Sequence, residues 1–277
     1  MTATRTTRAR TMRTMRALPA AVHAELIKIV TVPGVWICAA VIVALDVLVL
    51  TQQYPRNVEM LASLAADGTV EVAPGERRPS TDAFLFLLVS ALQIAPLLPV
   101  LGALIAGQEF RTGQIGLSVL AVPRRGLLAA AKALAAGLFL FLVAALLSAV
   151  DTVFVQLVVA DWEPGLPFTG EAFLWRARFL LFAVSFGLAG FAITVITRST
   201  LAGVIGTVAL TMVTMTQLLA RVAPAVDALL PYSAARNLMV SADDLTASPG
   251  HAVLVLAGWA LLAPAVAGVV LARRDAR

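Results

Sequence analysis

Residues Ala133 to Val150 read ALAAGLFLFLVAALLSAV, a run without Asp, Glu, Lys or Arg that continues past a single Asp151 to Ala160. A helix needs about 20 mostly apolar residues to cross the hydrocarbon core of a bilayer. This run meets that length, and five others do the same: Ile29 to Leu45, extended past Asp46 to Thr51, then Ala83 to Gln108, Leu180 to Ile196, Leu201 to Ala220 and Ala252 to Ala272. They predict six transmembrane helices, at roughly 33–52, 83–106, 127–158, 174–197, 201–221 and 252–272. The fourth and fifth are parted only by Arg198-Ser199-Thr200, which predicts a tight helical hairpin. A membrane β-barrel would show segments of about ten residues with alternating polarity, and none is evident.

Composition points the same way. Of the 277 residues, 60% are AVILMFWYC and 13% are charged, with a mean hydropathy of +0.91. Soluble domains are roughly half apolar and about a quarter charged. The sequence thus excludes a soluble enzyme, a disordered chain and a fibre, and predicts an all-α membrane protein. A single cysteine, Cys38, excludes an intrachain disulfide and a multi-cysteine metal site.

Basic residues set the orientation. Arg5, Arg8, Arg10, Arg13, Arg16 and Lys28 precede the first span, and Arg111, Arg124, Arg125 and Lys132 lie around the loop after the second. Arg198 sits in the hairpin, and Arg273, Arg274 and Arg277 end the chain, so placing both termini in the cytoplasm keeps 14 of 21 Lys and Arg inside. The same choice puts Glu59, Asp67, Glu71, Glu76, Asp82, Asp161, Glu163, Glu171, Asp243 and Asp244 outside. The first apolar run is long enough to span and lacks a small-residue cleavage site, so it reads as a retained signal-anchor. Residues 1–17 form a basic tail expected near anionic headgroups.

Three further segments stand out. Leu18, Val22, Leu26, Ile29 and Val30 share one arc of a helical wheel, with Glu25 and Lys28 read as lying off it. This predicts an amphipathic helix in the cytoplasmic interface, broken from the first span at Pro33-Gly34, or else an extension of that span. Residues 108–125 are too long for a turn. They either present a short helix to a soluble partner through Glu109, Phe110, Arg111 and Arg124, with Gly113 and Gly116 allowing close approach, or form a lipid-surface loop. Residues 222–250 either dip back into the bilayer or cap its outer surface.

Familiar chemistry is missing. No Gly is followed by Lys, so there is no P-loop. There is no HExxH, and the orientation puts His23 and His251 on opposite sides of the membrane. No catalytic or metal-binding residues are assigned. Asp46 and Asp151 are the acids inside the apolar runs, both read as lying toward the outer ends of their spans. With Gln93, Gln156 and Gln217 they are the substrate-pathway candidates. The alternative is that the two acids simply reach interfacial water. Gly187, Gly190, Gly203 and Gly206 permit close helix packing.

Ala24-Glu25-Leu26-Ile27-Lys28, Glu109-Phe110-Arg111-Thr112-Gly113, Pro123-Arg124-Arg125 with Lys132, and Leu230-Pro231-Tyr232-Ser233-Ala234 occur in this order among the spans. Together they resemble an ABC-2 type permease, the membrane subunit of a bacterial ABC transporter, over nearly the whole chain after the basic tail. The resemblance implies a six-helix subunit of the cytoplasmic membrane, with an amphipathic connecting helix at 18–30 and a coupling helix between spans two and three. It implies pairing with a second copy or a paralogue, and two copies of a separate ATPase that hold ATP and Mg. Glu109, Phe110, Arg111 and Gly113 would then belong to the ATPase-coupling segment. The chain itself would hold no cofactor, carry no catalysis alone and bind no nucleic acid. It would export a drug, antibiotic, lipid or other amphipathic compound. An ion-coupled secondary transporter using Asp46 and Asp151, or a non-transporting membrane scaffold, are the competing functions.

Overall fold

The computed structural model describes residues 18–80, 87, 93–112, 125–239 and 248–273. The basic tail 1–17, most of 81–92, the segment 113–124 with Gly113, and 240–247 with Asp243 and Asp244 lie outside the described residues. The chain is mostly helical. Four helices are long and apolar enough to cross a membrane: Pro33–Ala62, Arg125–Val159, Gly170–Thr197 and Pro249–Val270.

Helix α1 covers 18–30. It ends at Thr31, and Val32 takes an extended conformation (φ −94°, ψ 114°) before Pro33 opens α2 (Pro33–Ala62). A residue before proline is pushed out of the helical region, and proline at the first helical position loses no bond. The break expected at Pro33-Gly34 is therefore present, and Trp36 Nε1 fastens it by donating to the Val30 carbonyl at 2.8 Å. One reading of α1 is corrected. Glu25 lies on the buried face and Val30 is exposed, because residues 18, 22, 25 and 29 form one stripe at i, i+4, i+7 and i+11.

The prediction of an all-helical chain is also corrected. Thr69–Ala73 (β1) and Glu76–Pro79 (β2) pair antiparallel. Gly75 supplies the positive φ of 78° after Pro74 that the tight turn requires. Val70 from β1 joins Met60, Leu61, Leu87, Val155, Val158 and Val159 in a small apolar cluster, which seats the hairpin on the ends of two long helices.

After a short 3₁₀ turn at Ala95–Leu97, α3 runs from Leu98 to Thr112. It is followed by α4 (Arg125–Val159) and α5 (Gly170–Thr197). α5 is the central element, with Phe182 and Phe186 fully enclosed. The α5–α6 hairpin forms as expected. Arg198 takes a left-handed φ of 54°, and Ser199 caps α6 (Thr200–Met215) by accepting from Ala202 N–H.

The fifth predicted span is not one helix. α6 has 16 residues, about 24 Å at 1.5 Å per residue. It stops at Gln217, which has φ 54°, and is followed by the short turns α7 (Leu218–Val222) and α8 (Pro224–Asp227) and then α9 (Pro231–Met239). Thr207, Thr211, Thr214 and Thr216 each give their hydroxyl to a carbonyl three or four residues back, which weakens a helix locally. Tyr232 of α9 packs on Phe182 and Phe186, with centroids 6.1 and 6.4 Å away, at the middle of α5. Arg178 donates to the Leu238 carbonyl at 3.3 Å. Residues 218–239 therefore turn back alongside α5 instead of capping its end. Trp259 Nε1 holds the turn to α10 (Pro249–Arg273) through the Leu229 carbonyl at 2.8 Å.

Glycines set the closest approach. A Cβ on Gly102 would overlap the Gly187 carbonyl, one on Gly190 the Pro99 carbonyl, and one on Gly203 the Thr194 hydroxyl. Helices α3 and α5 therefore touch backbone to backbone, a contact that only glycine allows.

Candidate functional site: a buried charge cluster

Four charged side chains from three separate helices meet at one end of the bundle. From α1 come Glu25 and Lys28, from the last turn of α3 comes Glu109, and from the second turn of α4 comes Lys132. Lys28 Nζ lies 2.7 Å from Glu25 Oε1 and 3.1 Å from Glu109 Oε1. Lys132 Nζ lies 2.8 Å from Glu25 Oε2 and also pairs with Glu109. The four close a ring in which each lysine touches both carboxylates, and the charge sums to zero. Side-chain exposure is 9% for Glu25, 11% for Lys132 and 12% for Glu109, against 39% for Lys28. Each buried charge needs its partners, because burying it alone would cost several kcal/mol.

The helices deliver these groups for simple reasons. Glu25 falls on the apolar stripe of α1 beside Ile29. Glu109 follows the apolar run of α3, and Lys132 precedes that of α4, so each sits where a span meets polar surroundings. Beside the ring is a cavity of about 40 Å³, lined in part by Ile105, Gln108, Phe110 and Phe191, which is enough to admit water. Phe110 is half-buried against the main core and also borders a cleft at the α5–α6 turn.

Charge and burial oppose each other at these groups. Burial pushes the Glu109 carboxyl up, but Lys132 and Lys28 outweigh it and hold it below its ordinary value of 4.5. Burial pushes the Lys28 ammonium down, but Glu25 and Glu109 outweigh it and hold it above its ordinary 10.5. A depressed carboxyl adds stability that is present above its unfolded value and lost as pH falls through the folded one. A raised lysine adds stability that is present below its unfolded value and lost as pH rises through the folded one. Thermal unfolding midpoints should therefore stay level between about pH 5 and about pH 10 and fall on both sides. The acid limb should be steeper, because water screens the more exposed Lys28. A midpoint that climbs steadily on acidification to pH 4 would contradict the ring.

The structure sorts the other sequence candidates. Arg111 belongs to the last turn of α3, and Gly113 lies outside the described residues. Glu109 faces inward, onto the two lysines. Asp46 is corrected in position: α2 extends to Ala62, so Asp46 lies near mid-helix, 2% exposed, with Oδ2 enclosed and without a hydrogen-bond partner. Asp151 of α4 is buried within electrostatic reach of Arg176. Gln93 accepts a hydrogen bond from Gln53 Nε2 at 2.8 Å. Gln156 is half-buried, with Oε1 enclosed and without a partner. Gln217 is corrected: it is exposed at the left-handed corner that ends α6 and lines nothing inside.

Sequence reasoning missed the ring. Glu25 and Lys28 were read as a solvated edge, and Lys132 as an orientation signal. The signal was present in the i, i+3 spacing of Glu25 and Lys28 next to a buried stripe.

Compared with protein-family models and with curated proteins, the chain matches none.

Proposed function

We propose that the chain is the permease subunit of an ATP-driven ABC-2 type exporter in a bacterial cytoplasmic membrane. It crosses six times with both termini inside and works as a dimer with a second copy or a paralogue. Two ATPase subunits, which hold ATP and Mg, supply the energy. The second crossing starts near Ala83 and is completed by α3. The fifth is shared between α6, beside one half of α5, and α9, beside the other.

The observation that carries this reading is the Glu25–Lys28–Glu109–Lys132 ring. A soluble motor must pull on something stiff. The ring ties α1 to both helices that flank residues 113–124, so force applied to that segment reaches α1, α3 and α4 together. Glu109 is then a positioning residue that fixes where the segment leaves the membrane. Contact with the ATPase falls to Phe110, Arg111 and Gly113 and to the residues that follow. Asp46, Gln93, Asp151 and Gln156 are the groups placed to meet substrate.

The test is purification from native membranes in mild detergent, followed by measurement of ATP hydrolysis. A nucleotide-binding subunit should co-purify and hydrolyse ATP, and Arg111→Glu should release most of it while leaving the permease folded. An ion-coupled carrier predicts gradient-driven flux by the permease alone. Recovery of no nucleotide-binding subunit, with such flux present, would replace the proposal with that alternative.

A further inference from the structure

We propose that the inner face of α2 is a track for cations that ends at Asp46, so that the compound exported carries a permanent or protonated positive charge on an apolar body. The inference rests on the transport reading above and adds the substrate class.

The buried stripe of α2 runs through Val35, Ala39, Ile42, Asp46, Leu50, Asn57 and Met60. Gln53 lies on the same stripe, so Asp46, Gln53 and Asn57 place polar groups about every two turns along one face. Gln53 is joined to Gln93 across the helix boundary. Asn57 opens into a cavity of about 500 Å³ at the far end of α2, also lined by Arg56, Glu59, Ser63 and Glu71. The line therefore runs from a water-sized space with two carboxylates, past two amides, to a carboxylate at span depth.

Asp46 has no cation of its own. Arg56, the next charged residue along α2, is ten positions away, about 15 Å along the helix axis. Arg176 is held by the Pro167 carbonyl, the Phe173 ring and the field of Asp151. Arg178 is held by the Leu238 carbonyl and the Trp175 ring. A buried acid at membrane depth without a partner is costly, and such residues mark ion and substrate paths. Asp227, the other buried acid without a hydrogen-bond partner among the described residues, has both oxygens enclosed and so offers no open atom to a ligand.

The probe is tetraphenylphosphonium, an apolar cation without a titrating proton, with triphenylphosphine oxide as a neutral counterpart. Both are measured by equilibrium binding to the full-length protein in nanodiscs. The wild type should bind the cation saturably and the neutral compound at least tenfold more weakly. Asp46→Asn should weaken cation binding at least tenfold without changing binding of the neutral compound, and Asp46→Glu should restore most of it. Glu163→Gln, on an exposed loop, should bind like wild type. The proposal is overturned by an absence of saturable cation binding to wild type, by equal binding of the two probes, or by a loss that follows Asp227→Asn instead of Asp46→Asn. Binding is read without an ATPase, so failure here is separate from failure to recover the motor.

Discussion

Lys132→Met should lower the unfolding free energy of the chain by about 3–5 kcal/mol, the usual cost of removing one partner from a buried ionic group. Two carboxylates that are 9% and 12% exposed would then share only Lys28, which is 39% exposed and reaches both from one side. Pairing Lys132→Met with Glu109→Gln restores charge balance, because Glu25 and Lys28 remain as a pair. The double variant should recover at least half of the loss, a coupling that independent sites do not show. Unfolding in nanodiscs, followed by tryptophan fluorescence, reads both. If the double variant loses the sum of the two single losses, the four charges are not one unit and the stiff link between α1 and residues 113–124 goes with them.

The second large effect is expected from Gly102→Ala. The added methyl would sit on the Gly187 carbonyl. Backbone cannot rotate aside as a side chain can, so α3 and α5 must separate. Overpacking of a tight core costs about 1–3 kcal/mol and occasionally more. A backbone clash belongs at the upper end, and Gly190→Ala, against the Pro99 carbonyl, should match it. Gly258→Ala is the comparison. Its Cβ would meet only Leu262 Cδ1 at 4.0 Å, and alanine is the better helix former, so stability should stay level or rise slightly. Equal losses at Gly102 and Gly258 would mean that the α3–α5 contact is not the tight one.

Much of this fold is written in hydropathy. The helices over Arg125–Val159, Gly170–Thr197 and Pro249–Arg273 follow from long apolar runs, since nothing but a helix satisfies so much backbone in lipid. The turn at Arg198-Ser199-Thr200 was equally plain, because three polar residues interrupt forty apolar ones. The hairpin at 69–79 was legible too, in Val70 and Val72 alternating with Thr69 and Glu71 before Pro74-Gly75, but a search for charge-free stretches passes over it.

The break after Met215 was not legible, because Thr, Met and Gln are as apolar, on average, as a span tolerates. What ends α6 is a backbone angle at Gln217 and a place for Tyr232 on α5. The candidate site divides in the same way. Glu109 and Lys132 could be noticed singly, since charges beside spans stand out. Their meeting with Glu25 depends on a helix that lies more than 80 residues earlier in the chain, which no local pattern records.

The short reach of α6 bears on how the protein is made. A segment of about 24 Å cannot cover a hydrocarbon core of about 30 Å by itself. Leaving the translocation channel, Thr200–Met215 has no lateral exit of its own and depends on the helix just before it. The stretch from Gly170 to Met239 therefore enters lipid as a single package, with Phe182 and Phe186 as the surface on which its second half assembles.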